Sequence, residues 1–193
     1  MKIFSKFNPE AESIILEDGV GVIPTDTIYG IVGSALSRRA VSRIYRLRHR
    51  QPDKPMIILI GSKSDLRRFG VLLDARTSHV LSEVWPGTVS VILPCAPKNF
   101  SYLHRGQGTL GFRLPAEKDL RTFLKHTGPL VAPSANLEGK PPAKTIREAE
   151  NYFGAKVDFY IDKGIIIAEP STLIELQKGK IVVLRKGAVP VKR

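Results

Sequence analysis

Apolar and polar positions alternate along this chain in short blocks that switch between the two-residue period of a strand and the 3.6-residue period of a helix. Asn8 and Pro9 read as the N-cap and first position of a helix that turns Ala11, Ile14 and Ile15 inward and closes at Gly19. Val20, Val22 and Ile23 then form a β-prone run that Pro24 must stop, because proline has no N–H to give to a ladder. A turn of hydroxyls follows, and Ser37 caps a second helix with Ala40, Val41, Ile44 and Leu47 on one face. Met56 to Ile60 is wholly apolar and of strand length, which suits a sheet covered on both faces. Helical segments are expected around Ser64 to Phe69 and Ala75 to Trp85, and Trp85-Pro86-Gly87 breaks the second of them.

Beyond that break the period returns to two. Thr88 to Leu93 and Leu110 to Leu114 read as strands, Glu117 to His126 as a helix burying Leu120, Phe123 and Leu124, and Leu130 to Ala132 as a short strand. Thr145 caps a helix running to Phe153, and Val157 to Asp162 is a further strand. Thr172 to Leu176 and Ile181 to Arg185 make a hairpin across Lys178-Gly179-Lys180. Strands interleaved with helices and ending in a hairpin predict an α/β fold around a twisted mixed sheet flanked by helices. With 193 residues, 42% of them hydrophobic, and no linker-like stretch, one domain over 1–193 is the expected organisation.

Charge changes this picture. Thirty Lys and Arg against 18 Asp and Glu give a net +12, and residues 38–68 alone hold ten cations and two acids. Anionic partners, nucleotides or RNA, are favoured over neutral ones. No apolar run approaches the roughly 20 residues needed to span a bilayer, and no signal peptide is recognisable, so the expectation is a cytoplasmic chain without membrane contact. Cys95 stands alone and reads as packing, and His49, His79, His104 and His126 share no ligand spacing, so no metal site is expected from them. Trp85 reads as a core plug. The letters of Gly106 to Gly111 match a dinucleotide fingerprint, but they lead into a strand and a proline rather than a helix, which excludes a Rossmann site.

The candidate chemistry centres on Val22 to Pro55. Thr25, Asp26, Thr27 and Tyr29 gather three hydroxyls and a carboxylate beside Gly30 and Gly33, which let another group approach the backbone closely. Taken alone, such a turn is better read as a connection whose side chains cap backbone groups. In the helix that follows, Arg39, Arg43, Arg46 and Arg50 recur at intervals of four, three and four, a narrow stripe at about 100° per residue with few acids near it in sequence. Arg48, Arg50 and Lys54 then sit with Pro52 and Pro55 in a stiffened loop suited to phosphate oxygens. The chain holds no Ser-His-Asp order, GxSxG or Walker A lysine, so it looks built for positioning and charge stabilisation rather than covalent catalysis.

PTDTIYG, RHRQPDKPM, GFRLP, SAN and then STL with LRKGAV occur in that order between residues 24 and 189. Together they resemble the signature segments of the YrdC/TsaC family of L-threonylcarbamoyladenylate synthases. The resemblance implies a curved mixed sheet around a large basic cavity. It also implies condensation of L-threonine, bicarbonate and ATP, aided by Mg2+, to threonylcarbamoyl-AMP and pyrophosphate for tRNA modification. Position by position, it implies that Thr27, Ser134 and Ser171 or Thr172 contact threonine or its carbamate, and that Arg113 pairs with the threonine carboxylate. Arg48, Arg50 and Lys54 would address the ATP phosphates, and Thr109, Asn136, Lys144 and Arg185 the nucleotide. Arg50, Lys54 and Arg113 would then be the catalytic set. Asp26 replaces a commoner glutamate, Arg48 a commoner lysine and Leu59 a histidine of longer relatives, and the proline after Arg50 comes one residue late. The length resembles the short type of the family, which works with separate threonylcarbamoyl-transfer proteins acting on tRNA. Two other readings stay open from the residues: a non-catalytic RNA- or tRNA-binding module that uses the same basic cavity, and a carbamoyl-transferring relative with another substrate.

Overall fold

The computed structural model describes residues 1–95, 97–177 and 180–191. Within them the strands are β1 (Lys2–Phe4), β2 (Gly21–Pro24), β3 (Tyr29–Ser34), β4 (Ile58–Leu59), β5 (Val89–Pro94), β6 (Thr109–Arg113), β7 (Leu130–Val131), β8 (Phe159–Ile161), β9 (Thr172–Gln177) and β10 (Lys180–Arg185). The helices are α1 (Pro9–Leu16), α2 (Arg38–Arg48), α3 (Ala75–Val84), α4 (Ser101–His104), α5 (Lys118–Thr127) and α6 (Ile146–Phe153), with a 3₁₀ segment at Lys63–Phe69.

All ten strands join one mixed sheet in the order β1-β8-β2-β3-β7-β4-β6-β5-β9-β10. Neighbouring residues of its central strands serve opposite faces. Val22, Ile31, Ile58, Val131 and Tyr160 enter one apolar cluster, and Ile23, Val32, Leu59, Leu130 and Phe159 enter the other. The first cluster is completed by Ala40, Val41 and Ile44 of α2, Leu81 of α3 and Phe153 of α6. The second is completed by Ala11 and Ile15 of α1 and Leu120, Phe123 and Leu124 of α5. Helices therefore cover both faces, which is why the strand sequences read as continuous apolar runs instead of alternating ones.

The local signals for the starts of these helices hold. The side chains of Asn8, Ser37 and Thr145 accept hydrogen bonds from the backbone N–H groups of Ala11, Ala40 and Glu148. Trp85 is a core residue, its indole donating to the Val89 carbonyl at 2.7 Å. Buried Cys95 places its thiol against the Phe69 carbonyl.

Several expectations are corrected. The stretch after Pro24 does not run from a turn straight into a helix, because β3 intervenes, antiparallel to β2 with Pro24 opposite Tyr29. Gly33 serves this packing. A Cβ there would stand 3.1 Å from the Ala40 Cβ and 3.2 Å from the Ile44 Cδ1, so the missing side chain lets α2 lie close on β3. The expected strand from Met56 to Ile60 is regular only at β4, and single backbone bonds from Ala132 to Ile57 and from Ile60 to Arg113 extend its pairing. α1 ends at Leu16, short of Gly19. β9 and β10 pair as an antiparallel hairpin, while Lys178 and Gly179 of its expected turn lie outside the described residues.

The arginine stripe is also changed. α2 stops at Arg48, so Arg50 does not continue it. Arg43 is held by an acid distant in sequence, its two terminal nitrogens meeting the Asp158 carboxylate at 2.6 and 3.1 Å. Asp158 also accepts from the Val20 N–H at 2.8 Å, so one carboxylate ties α2 to the start of β2 and to the segment before β8.

Candidate active site

A cavity of about 250 Å³ opens at the carboxyl ends of β2, β6 and β7, where open α/β sheets place their ligands. The chain reaches it from five places. The β2–β3 hairpin turn brings Thr25 and Thr27, and the end of α2 brings Arg48 and Arg50. The last residue of β6 is Arg113, and the segments after β7 and around β9 and β10 bring Ser134, Ser171 and Arg185.

Thr25 builds the turn. Its hydroxyl donates to the Ile28 carbonyl at 2.6 Å and accepts from the N–H of Ile28 at 3.2 Å. The same oxygen accepts from the Thr27 N–H at 3.3 Å and meets the Thr27 hydroxyl at 3.0 Å. The Thr27 oxygen in turn accepts from Arg113 at 3.2 Å. One lone pair of Thr27 stays open, which makes it an acceptor for a ligand's N–H or O–H.

Arg113 is 5% exposed and stands 2.9 Å from a carboxylate oxygen of Asp26. That contact is Coulombic more than directional, because this oxygen has no donor in line with it; the other one accepts from the Ala116 N–H at 3.1 Å. The Arg113 Nε is buried without an acceptor. Burial pushes the guanidinium below its ordinary range, Asp26 opposes that and Arg185 adds to it.

Arg48 is similar. It is 3% exposed, donates from Nε to the Asn136 carbonyl at 3.0 Å and shares its NH2 between the hydroxyl of Ser134 and the side-chain oxygen of Asn136, each at 3.2 Å. Its NH1 is buried without an acceptor. Burial, then the charge of Arg50, lower its pKa to about 10 against the pull of Glu138, so it remains a cation at neutral pH.

Arg185 donates to the Ser171 carbonyl at 2.9 and 3.2 Å and to its hydroxyl at 3.2 Å, and Ser90 meets that hydroxyl at 2.8 Å. Burial lowers its pKa too. Arg50 spends Nε on the Lys54 carbonyl at 3.1 Å and NH2 on the Pro55 carbonyl at 2.7 Å, which shapes the loop.

Of the residues expected from sequence, Thr27, Arg48, Arg50, Arg113, Ser134, Ser171 and Arg185 line this one cavity. Lys54, Thr109, Asn136, Lys144 and Thr172 do not. The Lys54 amine pairs with Glu138 at 3.0 Å, and Asn136 holds Arg48. The Thr172 hydroxyl turns to the Val189 carbonyl, Thr109 opens β6 opposite Pro94, and Lys144 is exposed. Sequence reading missed Asp26 as the counter-charge of Arg113, Ser90 behind Ser171, and the apolar wall that Met56, Pro142 and Leu173 supply. Only Asp26 carried a signal, as the sole acid of its turn.

Desolvated guanidiniums with unspent N–H groups favour an anion, which would regain both the lost hydration and the missing hydrogen bonds. The arrangement offers fixed positive charge and hydroxyl acceptors, with no histidine in the wall. The donor set does not fit a resident divalent ion. Among the described residues no three His, Cys, Asp or Glu side chains converge, and the carboxylate of Asp26 is taken by Arg113 and Ala116.

A model of the Sua5/YciO/YrdC family, described as telomere recombination, matches residues 13–187. A threonylcarbamoyl-AMP synthase of Pyrococcus abyssi is 33% identical over 184 residues, which cover 94% of this chain and 54% of that protein. One from Idiomarina loihiensis is 31% identical over 159 residues, 80% of this chain and 84% of the relative. Among solved structures, P. abyssi Sua5 complexed with L-threonine superposes with a TM-score of 0.88 at 29% identity, over 98% of this chain and 58% of the other. The chain thus spans little more than half the length of the P. abyssi protein.

Proposed function

This chain belongs to the Sua5/YciO/YrdC family, and on that premise we propose that it is an L-threonylcarbamoyladenylate synthase, a nucleotidyltransferase. The observation that carries the reading is the convergence of Arg48, Arg50, Arg113 and Arg185 on one cavity, with buried N–H groups of Arg48 and Arg113 still lacking acceptors. Two anionic substrates account for that excess. In this reading the Arg113 guanidinium takes the threonine carboxylate, Thr27 accepts from the amino acid, and Ser171, held by Arg185 and Ser90, closes the same corner. Arg48 and Arg50 take the phosphates, and Ser134 stands between the two groups because it accepts from Arg48 while lining the cavity. Lys54 and Asn136 support that side from outside the wall.

In the proposed reaction the amine of threonine adds to carbon dioxide derived from bicarbonate and loses a proton to solvent, which leaves a carbamate. A carbamate oxygen then attacks the α-phosphorus of ATP. The bond from that phosphorus to the bridging oxygen breaks, and pyrophosphate leaves with the electron pair. Charge grows on the phosphoryl oxygens, which is where fixed guanidiniums lower the barrier without reorganising. Mg2+ would enter with ATP as part of that substrate, since the residues present do not build a site for it. The mixed anhydride so formed would pass to separate transfer proteins acting on tRNA.

The experiment is pyrophosphate release from ATP, Mg2+ and bicarbonate with and without L-threonine. Release should require both threonine and bicarbonate. Equal release without either, or none from freshly folded protein, would hand the case to the RNA-binding reading or to a carbamoyl-transferring relative with a different acceptor.

A further inference from the structure

The loop after α4 is joined to the Arg50–Pro55 loop by a contact that none of the signature segments contains. Arg105 follows α4 in the left-handed region (φ 52°), a conformation costly for an arginine, and is held there by bonds from its own N–H to Ser101 and from Gln107 to His104. Its guanidinium lies 4.0 Å from the centroid of the Tyr45 ring, and its Nε is buried without a hydrogen-bond acceptor. No carboxylate pairs with Arg105 among the described residues; the aromatic face is what holds the charge.

Tyr45 is 8% exposed and contacts the cation loop twice. Its hydroxyl donates to the Lys54 carbonyl at 2.8 Å, the same oxygen that accepts Arg50 Nε at 3.1 Å. Its own carbonyl accepts the Arg50 N–H at 3.0 Å. The ring is therefore fixed between Arg105 on one side and the backbone that shapes Arg50 on the other.

We infer that Arg105 and Tyr45 are positioning residues for polyphosphate: the cation stacked on the ring fixes the phenol, and the phenol fixes the curvature of the loop that presents Arg50. The inference rests on the phosphate side of the proposed site, and neither residue lines the cavity. The decisive variants are Tyr45→Phe, which keeps the ring under Arg105 and removes the bond to Lys54, and Arg105→Met, which removes the charge and planar stack. Arg105→Lys keeps charge and loses the plane.

Affinity for ATP and separately for inorganic tripolyphosphate is read by titration, with threonine titrated in parallel. Tyr45→Phe should weaken both phosphate ligands about fivefold to tenfold, the scale of one hydrogen bond. Arg105→Met should do the same, Arg105→Lys should recover part of the loss, and threonine affinity should stay within twofold. The double variant should be no worse than the weaker single one, as expected of two links in one chain. Phosphate affinity within twofold of wild type in Tyr45→Phe overturns the inference, as does multiplication of the two single effects. Should Arg105→Met fail to fold, Tyr45→Phe decides alone. A wild-type protein that binds tripolyphosphate, responds to Tyr45→Phe and still releases no pyrophosphate keeps this inference and loses the synthase reading.

Discussion

Arg113 shows how a single side chain can be engaged by the fold and still hold a donor in reserve. Its NH1 and NH2 are engaged by Thr27 and Asp26, and its Nε is left without a partner in a place water scarcely reaches. Replacement by lysine keeps the charge that Asp26 needs and loses the planar fork, so the change should read as a loss of ligand geometry rather than of fold. A charge-assisted hydrogen bond is worth roughly 1.5–3 kcal/mol, and the apparent threonine constant of Arg113→Lys should rise about tenfold to a hundredfold while ATP affinity stays nearly constant. Collapse of ATP affinity instead would put Arg113 on the other substrate. The arginine could be read from the sequence because GFRLP ends a strand pattern at it. Asp26 could not be paired with it, because nothing in the spacing of a hairpin turn says which strand end lies opposite.

One helix end accounts for much of the site. Arg48 and Arg50 are two residues apart, and on a continuous helix they would point about 200° from one another. His49 prevents this by adopting φ 53°, with the Arg50 N–H returning to the Tyr45 carbonyl and the His49 N–H to that of Arg46, a Schellman-type termination. The reversal brings both guanidiniums to one cavity. His49→Gly should fold with equal or greater stability, while the β-branched His49→Val should cost about 1–2 kcal/mol and weaken ATP through Arg50, measured by thermal unfolding beside nucleotide titration. An unchanged midpoint in His49→Val would show that the left-handed turn is not required. The apolar period of α2 was legible, and so was its Ser37 cap. Its end was not, since histidine is an uncommon residue for a left-handed cap, and the arginine stripe was thereby drawn one residue set too long. β3 was hidden for a related reason. Its two glycines lower strand propensity, Gly33 in exchange for the close approach of α2.

At the scale of the whole molecule the sheet is held together by pairings that sequence windows do not see. β1 lies parallel to β8 although most of the chain separates them, and Asp158, just before β8, carries Arg43 and the Val20 N–H. Burial opposes the charge on Asp158, but the Arg43 and Val20 hydrogen bonds outweigh it and hold the carboxyl below its usual range. A depressed carboxylate contributes stability that is fully present above the unfolded value near pH 4 and is lost as pH falls through the folded one. Thermal unfolding followed from pH 7 down to pH 2 should therefore show a steeper decline below about pH 4 in wild type than in Asp158→Asn, which should start lower and change less. Parallel curves would remove Asp158 from the acid limb. Local elements could be read because helix caps and apolar periods are local; the two-sided sheet could be inferred, but its order depends on such remote contacts. The cavity walls run from Thr25 to Arg185, and this has a consequence in time. At about 5–20 residues per second, the first threonine of the site waits on the order of ten seconds or more for its last arginine to be synthesised. Until then the growing chain carries its cations without the pocket that gathers them, and the cavity wall is complete only with β10 in place.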